Sequence, residues 1–207
     1  MIIIGVTGSV GMGKTEAGKY FRKNNIDVFD CDKEIANFYN KKDTIIEIKK
    51  NFPSTVYNNK VDKNALSSIV FNDKNKLNFL EKLLHKKLHA RQSFWVRKKI
   101  REKKNLLVFD VPLLFEKDNI KKYDIVMVLS CNKDLQRKRI LKRKGWNEER
   151  YEKTLKEQIP DYIKQNLADI IIKSDRGKRY LYQEIIKVIK EVKSKKNRSI
   201  YEILKEF

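Results

Sequence analysis

The chain has 207 residues, enough for one α/β core with a smaller excursion, and its 41% hydrophobic and 10% aromatic content excludes a disordered polymer. Its two cysteines, Cys31 and Cys131, lack the spacing of a zinc site or redox pair and fit a reduced, cytoplasmic setting, while no run approaches the roughly 18 apolar residues of a membrane span. The formal net charge of +21, mostly lysine spread along the chain, attracts anions without choosing among phosphorylated small molecules, nucleic acid and membranes, and most of it reads as solvated surface.

Ile2, Ile3, Ile4 and Val6 form a β-branched run ending at Thr7-Gly8, the pattern of a strand buried on both faces of a parallel sheet. Gly8-Ser9-Val10-Gly11-Met12-Gly13-Lys14-Thr15 follows, matching the phosphate-loop pattern of glycine, four residues, glycine, lysine and threonine or serine. Glycines at 8, 11 and 13 permit positive φ and let backbone amides gather around a phosphate, reinforced by the positive end of the next helix. Lys14 is then expected to reach the β- and γ-phosphates, and Thr15 to coordinate a Mg²⁺ that bridges them. Such a loop implies nucleotide binding and does not choose among a kinase, a GTPase and an ATP-driven machine.

Ala17, Tyr20 and Phe21 recur at helical spacing, so a helix leads from the turn to Asn24-Asn25, and residues 26–29 read as a second strand. Asp30-Cys31-Asp32 then places two carboxylates at a strand's carboxyl end, the edge where ligands of open α/β sheets collect. One could hold the water shell of a metal and the other could accept a hydroxyl proton, although either could equally cap the next helix.

Residues 33–104 read as mostly helical, in segments near 35–39, 44–50, 65–71 and 77–101, with irregular pieces at Phe52-Pro53 and Asn58-Asn59-Lys60. Residues 106–109 form the next buried strand, and Asp110 at its end is a candidate to hold Mg²⁺ through water. Residues 125–129 and 170–172 supply two more strands, with a charged helical stretch at 133–158 broken at Gly145. A helix over 178–192 follows, and Ile200, Ile203, Leu204 and Phe207 give the tail one small amphipathic helix. Strands alternating with helices imply a three-layer α/β/α parallel sheet of the P-loop NTPase type.

Several segments together resemble the dephospho-coenzyme A kinases. Asp30-Cys31-Asp32 with Ile35-Ala36 is similar to that family's D-x-D-x-x-x-A segment, and Val61-Asp62-Lys63 with Leu66 and Val70-Phe71 to its L-D-R-x-x-L-x-x-x-V-F stretch. Leu80-Glu81 with His85 resembles its L-E-x-x-x-H-P, and Val111-Pro112-Leu113-Leu114-Phe115-Glu116 its V-P-L-L-F-E signature. Gln136, Arg139 and Arg143 match its lid helix, Gln158 a following glutamine, and Ala168-Asp169 the pair before the last strand. Lys63 replaces the usual arginine, Lys86 the proline after the histidine, and Ser174 stands near a frequent asparagine.

The resemblance implies ATP-dependent phosphorylation of the ribose 3′-hydroxyl of dephospho-CoA, with ATP as co-substrate and Mg²⁺ as cofactor. It implies a nucleotide-binding core over 1–32, 105–132 and 165–207, a helical acceptor-binding insertion over 33–104 and a lid over 133–164. Asp32 is the expected base, with Asp30 assisting at the metal, while Lys14, Arg139 and Arg143 grip the phosphates; read alone, the two arginines are a solvated helix face. His85 either touches the acceptor or makes a helix-packing hydrogen bond, and Pro112 and Leu113 either wall the acceptor pocket or pack the core. Another P-loop nucleoside, nucleotide or shikimate-type kinase is an alternative, and a basic P-loop nucleic-acid module is a second; specific nucleic-acid and membrane partners are not expected. The oligomeric state is open.

Overall fold

The computed structural model describes residues 1–116, 120–195 and 197–207. β1 (Ile2–Thr7) is buried at all six positions, as its unbroken apolar run requires. It leads through the glycine-rich turn into α1 (Lys14–Lys23), then β2 (Asp27–Asp30). The chain continues through α2 (Cys31–Phe38), α3 (Lys42–Asn51), the two short strands β3 (Val56–Tyr57) and β4 (Lys60–Val61), α4 (Lys63–Phe71) and the long α5 (Lys74–Arg101). β5 (Leu106–Asp110) and β6 (Ile125–Ser130) follow, then α6 (Lys133–Leu141), α7 (Glu148–Lys156), α8 (Asp161–Asn166), β7 (Ile170–Lys173), α9 (Lys178–Lys193) and α10 (Ile200–Glu206).

Five strands make one parallel sheet in the order β2-β5-β1-β6-β7, so the strand carrying the glycine-rich turn is central. One sheet face is covered by α1 and α9, where Ala17, Phe21, Leu181, Ile185 and Val192 pack on Ile2, Ile4 and Val6. Toward the other face stands Gly5, where a Cβ would come within 2.8 Å of Leu114 and 2.7 Å of Tyr123, so these side chains occupy the space that a larger residue would need. Register pairs Asp30 with Asp110 and Asp110 with Val6, bringing the carboxyl ends of β2, β5 and β1 level. Behind the opposite end, Arg198 ion-pairs with Asp124 at 3.1 Å, and Asp124 accepts a 2.7 Å hydrogen bond from the Ile3 amide. The basic start of the tail is thereby tied to the central strand.

Contacts divide the chain into two compact units, Met1–Asp30 with Arg97–Glu206, and Cys31–Val96 with Phe207. The second unit has a core of its own, built from Phe38, Ile48, Phe52, Leu66, Val70 and Leu84. Asp62 caps α4 by accepting from the amides of Asn64 and Ala65. The Asn58-Asn59 stretch, read from sequence as irregular, is the turn of a small antiparallel hairpin. Both asparagines have positive φ, 47° and 57°, which is the conformation a two-residue type I′ turn demands and asparagine tolerates. Among the described residues, no helix is long and apolar enough to cross a membrane.

Candidate active site

Three glycines give the loop after β1 its shape. Gly8, Gly11 and Gly13 have φ of 144°, 82° and 96°, a region that side chains disfavour. Space is short as well: a Cβ on Gly8 would lie 2.4 Å from the Leu129 carbonyl oxygen, and one on Gly13 would lie 3.2 Å from Ser174 Oγ. Gly13 also serves as N-cap of α1 and brings no side chain to its first-turn amides. The Glu16 amide turns back to the Gly13 carbonyl at 3.1 Å, and the amino-terminal turn together with the helix dipole forms an anion-binding end. Lys14 folds back so that Nζ donates to the Gly8 carbonyl at 2.6 Å, which puts an ammonium beside the loop. Thr15, one position later, is exposed.

Residues from the far end of the chain close around this loop. Arg139 on α6 donates through Nη1 to Ser174 Oγ at 2.9 Å and to the Gly11 carbonyl at 3.3 Å, and through Nη2 to the Ser174 carbonyl at 2.8 Å. Ser174 Oγ in turn donates to the Met12 carbonyl at 2.8 Å. A cavity of about 380 Å³ adjoins the loop, lined in part by Ser9, Met12, Cys131, Gln158 and Tyr162. Burial pushes the Cys131 thiol up from its ordinary value, so it stands there as a neutral thiol.

The other expected residues divide between the two units. Asp30 and Asp110 end adjacent strands of the sheet, as does the backbone leading to Pro112, whose carbonyl accepts from Thr7 Oγ1 at 3.3 Å. Leu113 is 37% exposed while Leu114 and Phe115 are buried, so only the latter two serve the core. Arg143, just past the end of α6, is exposed. Asp32 lies in the first turn of α2 and His85 is exposed on α5, both in the second unit. Lys63 stands 5.0 Å over the Tyr39 ring.

A family model described as dephospho-CoA kinase matches residues 2–179. The chain is 33% identical to a dephospho-CoA kinase of Bartonella quintana (strain Toulouse) over 192 residues, spanning 93% of this chain and 98% of the relative. The chain belongs to the dephospho-CoA kinase family. A solved dephospho-CoA kinase from Campylobacter jejuni is 27% identical with a TM-score of 0.69, covering 92% of this chain and 96% of that one. TT1252 from Thermus thermophilus is 25% identical and superposes with a TM-score of 0.81 over 92% of this chain and 96% of its own.

Two features of this dephospho-CoA kinase family member escape a reading of motifs alone. Ser174, noted in sequence only as a departure from asparagine, is a joint between Arg139 and the loop. Glu116 and Lys164 form an ion pair at 2.7 Å with side chains 11% and 0% exposed, and the same Glu116 oxygen accepts from the Ile159 amide at 3.0 Å. Both contacts join segments far apart in sequence, where no local pattern marks them.

Proposed function

We propose that this kinase transfers the γ-phosphoryl group of ATP in line to the ribose 3′-hydroxyl of dephospho-CoA, completing coenzyme A synthesis, with the residues after β1 as its phosphate grip. The observation that carries the reading is the loop itself: three positive-φ glycines, a helix end without a side-chain cap and an ammonium folded onto the loop. Residues 8–15 would hold the triphosphate, with Lys14 on the β- and γ-phosphates, and little covalent chemistry is asked of the protein. Asp32 would orient the attacking hydroxyl and accept its proton, and Asp30 would assist at the metal. Arg139 and Arg143 would stabilise the charge that develops on the transferring group, acting from a lid over 133–164 that excludes water. Residues 33–104, with Pro112, Leu113 and His85, would hold the acceptor.

A Mg²⁺ ion suits the donor set. Thr15 offers an exposed hydroxyl and Asp30 and Asp110 are level carboxylates, all hard oxygen ligands. An ion of this kind is commonly held by one or two carboxylates together with substrate phosphates and water. When bound, it would neutralise charge on the β- and γ-oxygens.

Mass spectrometry and NMR of the product test the proposal: one added phosphate on the 3′-oxygen of dephospho-CoA, with one ADP released per turnover, is expected. ATP turnover that ignores dephospho-CoA and responds to a nucleoside or shikimate would overturn it.

A further inference from the structure

Val10 sits at the middle of the phosphate loop, and both of its backbone polar groups are engaged by side chains from remote segments. Its amide donates to Gln158 Oε1 at 3.1 Å, and its carbonyl accepts from Gln136 Nε2 at 2.7 Å. Gln136, on α6, is only 3% exposed, and its own carbonyl oxygen accepts from the Tyr151 hydroxyl at 3.3 Å, which fixes which end of the amide faces Val10. Gln158 follows α7, in the segment whose Ile159 amide is held by Glu116. The two successive peptides that flank Val10 in a glycine-rich loop are thus held from two sides, by an acceptor on one and a donor on the other.

The geometry points to Gln136 and Gln158 as positioning residues that hold the loop in its anion-binding shape before nucleotide arrives. Glycines at 8, 11 and 13 give the loop access to many backbone conformations, so a shape competent for phosphate is one of several, and affinity falls with the fraction of molecules that occupy it. Two fixed hydrogen bonds to the successive peptides around Val10 raise that fraction. The inference rests on the phosphate-loop reading above and adds that two glutamines outside the loop help set its affinity for ATP by holding its shape.

Gln136→Met and Gln158→Met keep side-chain volume and remove the donor and the acceptor respectively. Each is expected to weaken ATP binding by about tenfold in titration calorimetry, the size expected when a hydrogen bond is lost and its backbone partner stranded. KM for dephospho-CoA should stay near wild type, while the melting temperature falls in step with the stranded partner, most in Gln136→Met, which also loses the Tyr151 contact. Hydrogen exchange of the nucleotide-free protein should quicken over residues 8–13 in both variants. Gln158→Glu should restore slow exchange, because a carboxylate accepts from the Val10 amide, and Gln136→Glu should not, because it has no donor for the Val10 carbonyl. Wild-type ATP affinity in both methionine variants, or weakened affinity with unchanged exchange, overturns the inference. A wild-type protein that binds no ATP sinks the phosphate-loop reading itself, an outcome that no variant is needed to see.

Discussion

Alanine at two glycine positions should have opposite effects, because the two sites differ in backbone and in room. At Gly8, φ is 144° and the added carbon would meet the Leu129 carbonyl at 2.4 Å, so strand β6 or the loop must move. Gly8→Ala is expected to cost about 1–3 kcal/mol in denaturant unfolding and to abolish detectable ATP binding. Gly18 lies inside α1, and the nearest atom to a Cβ there is Arg22 Nη1 at 3.4 Å, an ordinary contact. Gly18→Ala should stabilise by up to about 1 kcal/mol with unchanged kinetics, because helix interiors favour alanine. Asp32→Asn keeps the shape and removes the proposed proton acceptor, so kcat should fall by about 10² to 10⁴ while the Kd for ATP holds. A kcat within a few-fold of wild type would move the base to another carboxylate.

Among elements, the segments that could be read from sequence are those whose signal is local. β1, β5 and β6 announce themselves as unbroken apolar runs because both faces of a central parallel strand are covered, β7 by its three isoleucines although it lies at the sheet's edge with Ile171 exposed, and the loop after β1 is legible because phosphate binding fixes residue types at fixed spacing. The hairpin of β3 and β4 was missed because strands of two residues show no alternation, although Asn58-Asn59 is a turn signal. Neither the grip on Val10 nor the pairing of Glu116 with Lys164 could be found that way, since partners 48 positions apart are set by how α8 folds back against the end of the V-P-L-L-F-E segment. That pair makes a prediction of its own. Lys164→Met leaves Glu116 nearly buried without its cation, and breaking such a pair costs about 3–5 kcal/mol. Adding Glu116→Gln to that variant removes the stranded charge and should recover part of the loss, as read from urea midpoints. A single variant as stable as the double would show that the charge is not stranded.

Across the whole molecule, 48 basic against 27 acidic side chains leave an excess of positive charge, so each well-placed carboxylate relieves repulsion as well as making its own contact. Asp27 at the start of β2 is one of these, with Lys99 at 2.8 Å and Lys104 at 3.3 Å binding the end of α5 and the following turn to the sheet's edge strand. Burial of the Asp27 carboxyl works to raise its pKa, but the hydrogen bonds and charges of Lys99 and Lys104 outweigh it and hold the group below its ordinary value of 3.8. A carboxyl depressed in the folded state binds its proton more readily once unfolded, so its stabilisation is complete above 3.8 and drains away as pH falls through the lower, folded value. Asp27→Asn should therefore lower the urea midpoint at pH 7, and the gap to wild type should close on acidification below 3.8. Because the asparagine variant cannot titrate there, the difference between the two curves separates Asp27 from acids depressed by other lysines, such as Asp43 beside Lys87. A gap that stays constant across that range would mean that the two lysines stabilise the edge strand through packing of their aliphatic stems rather than through charge.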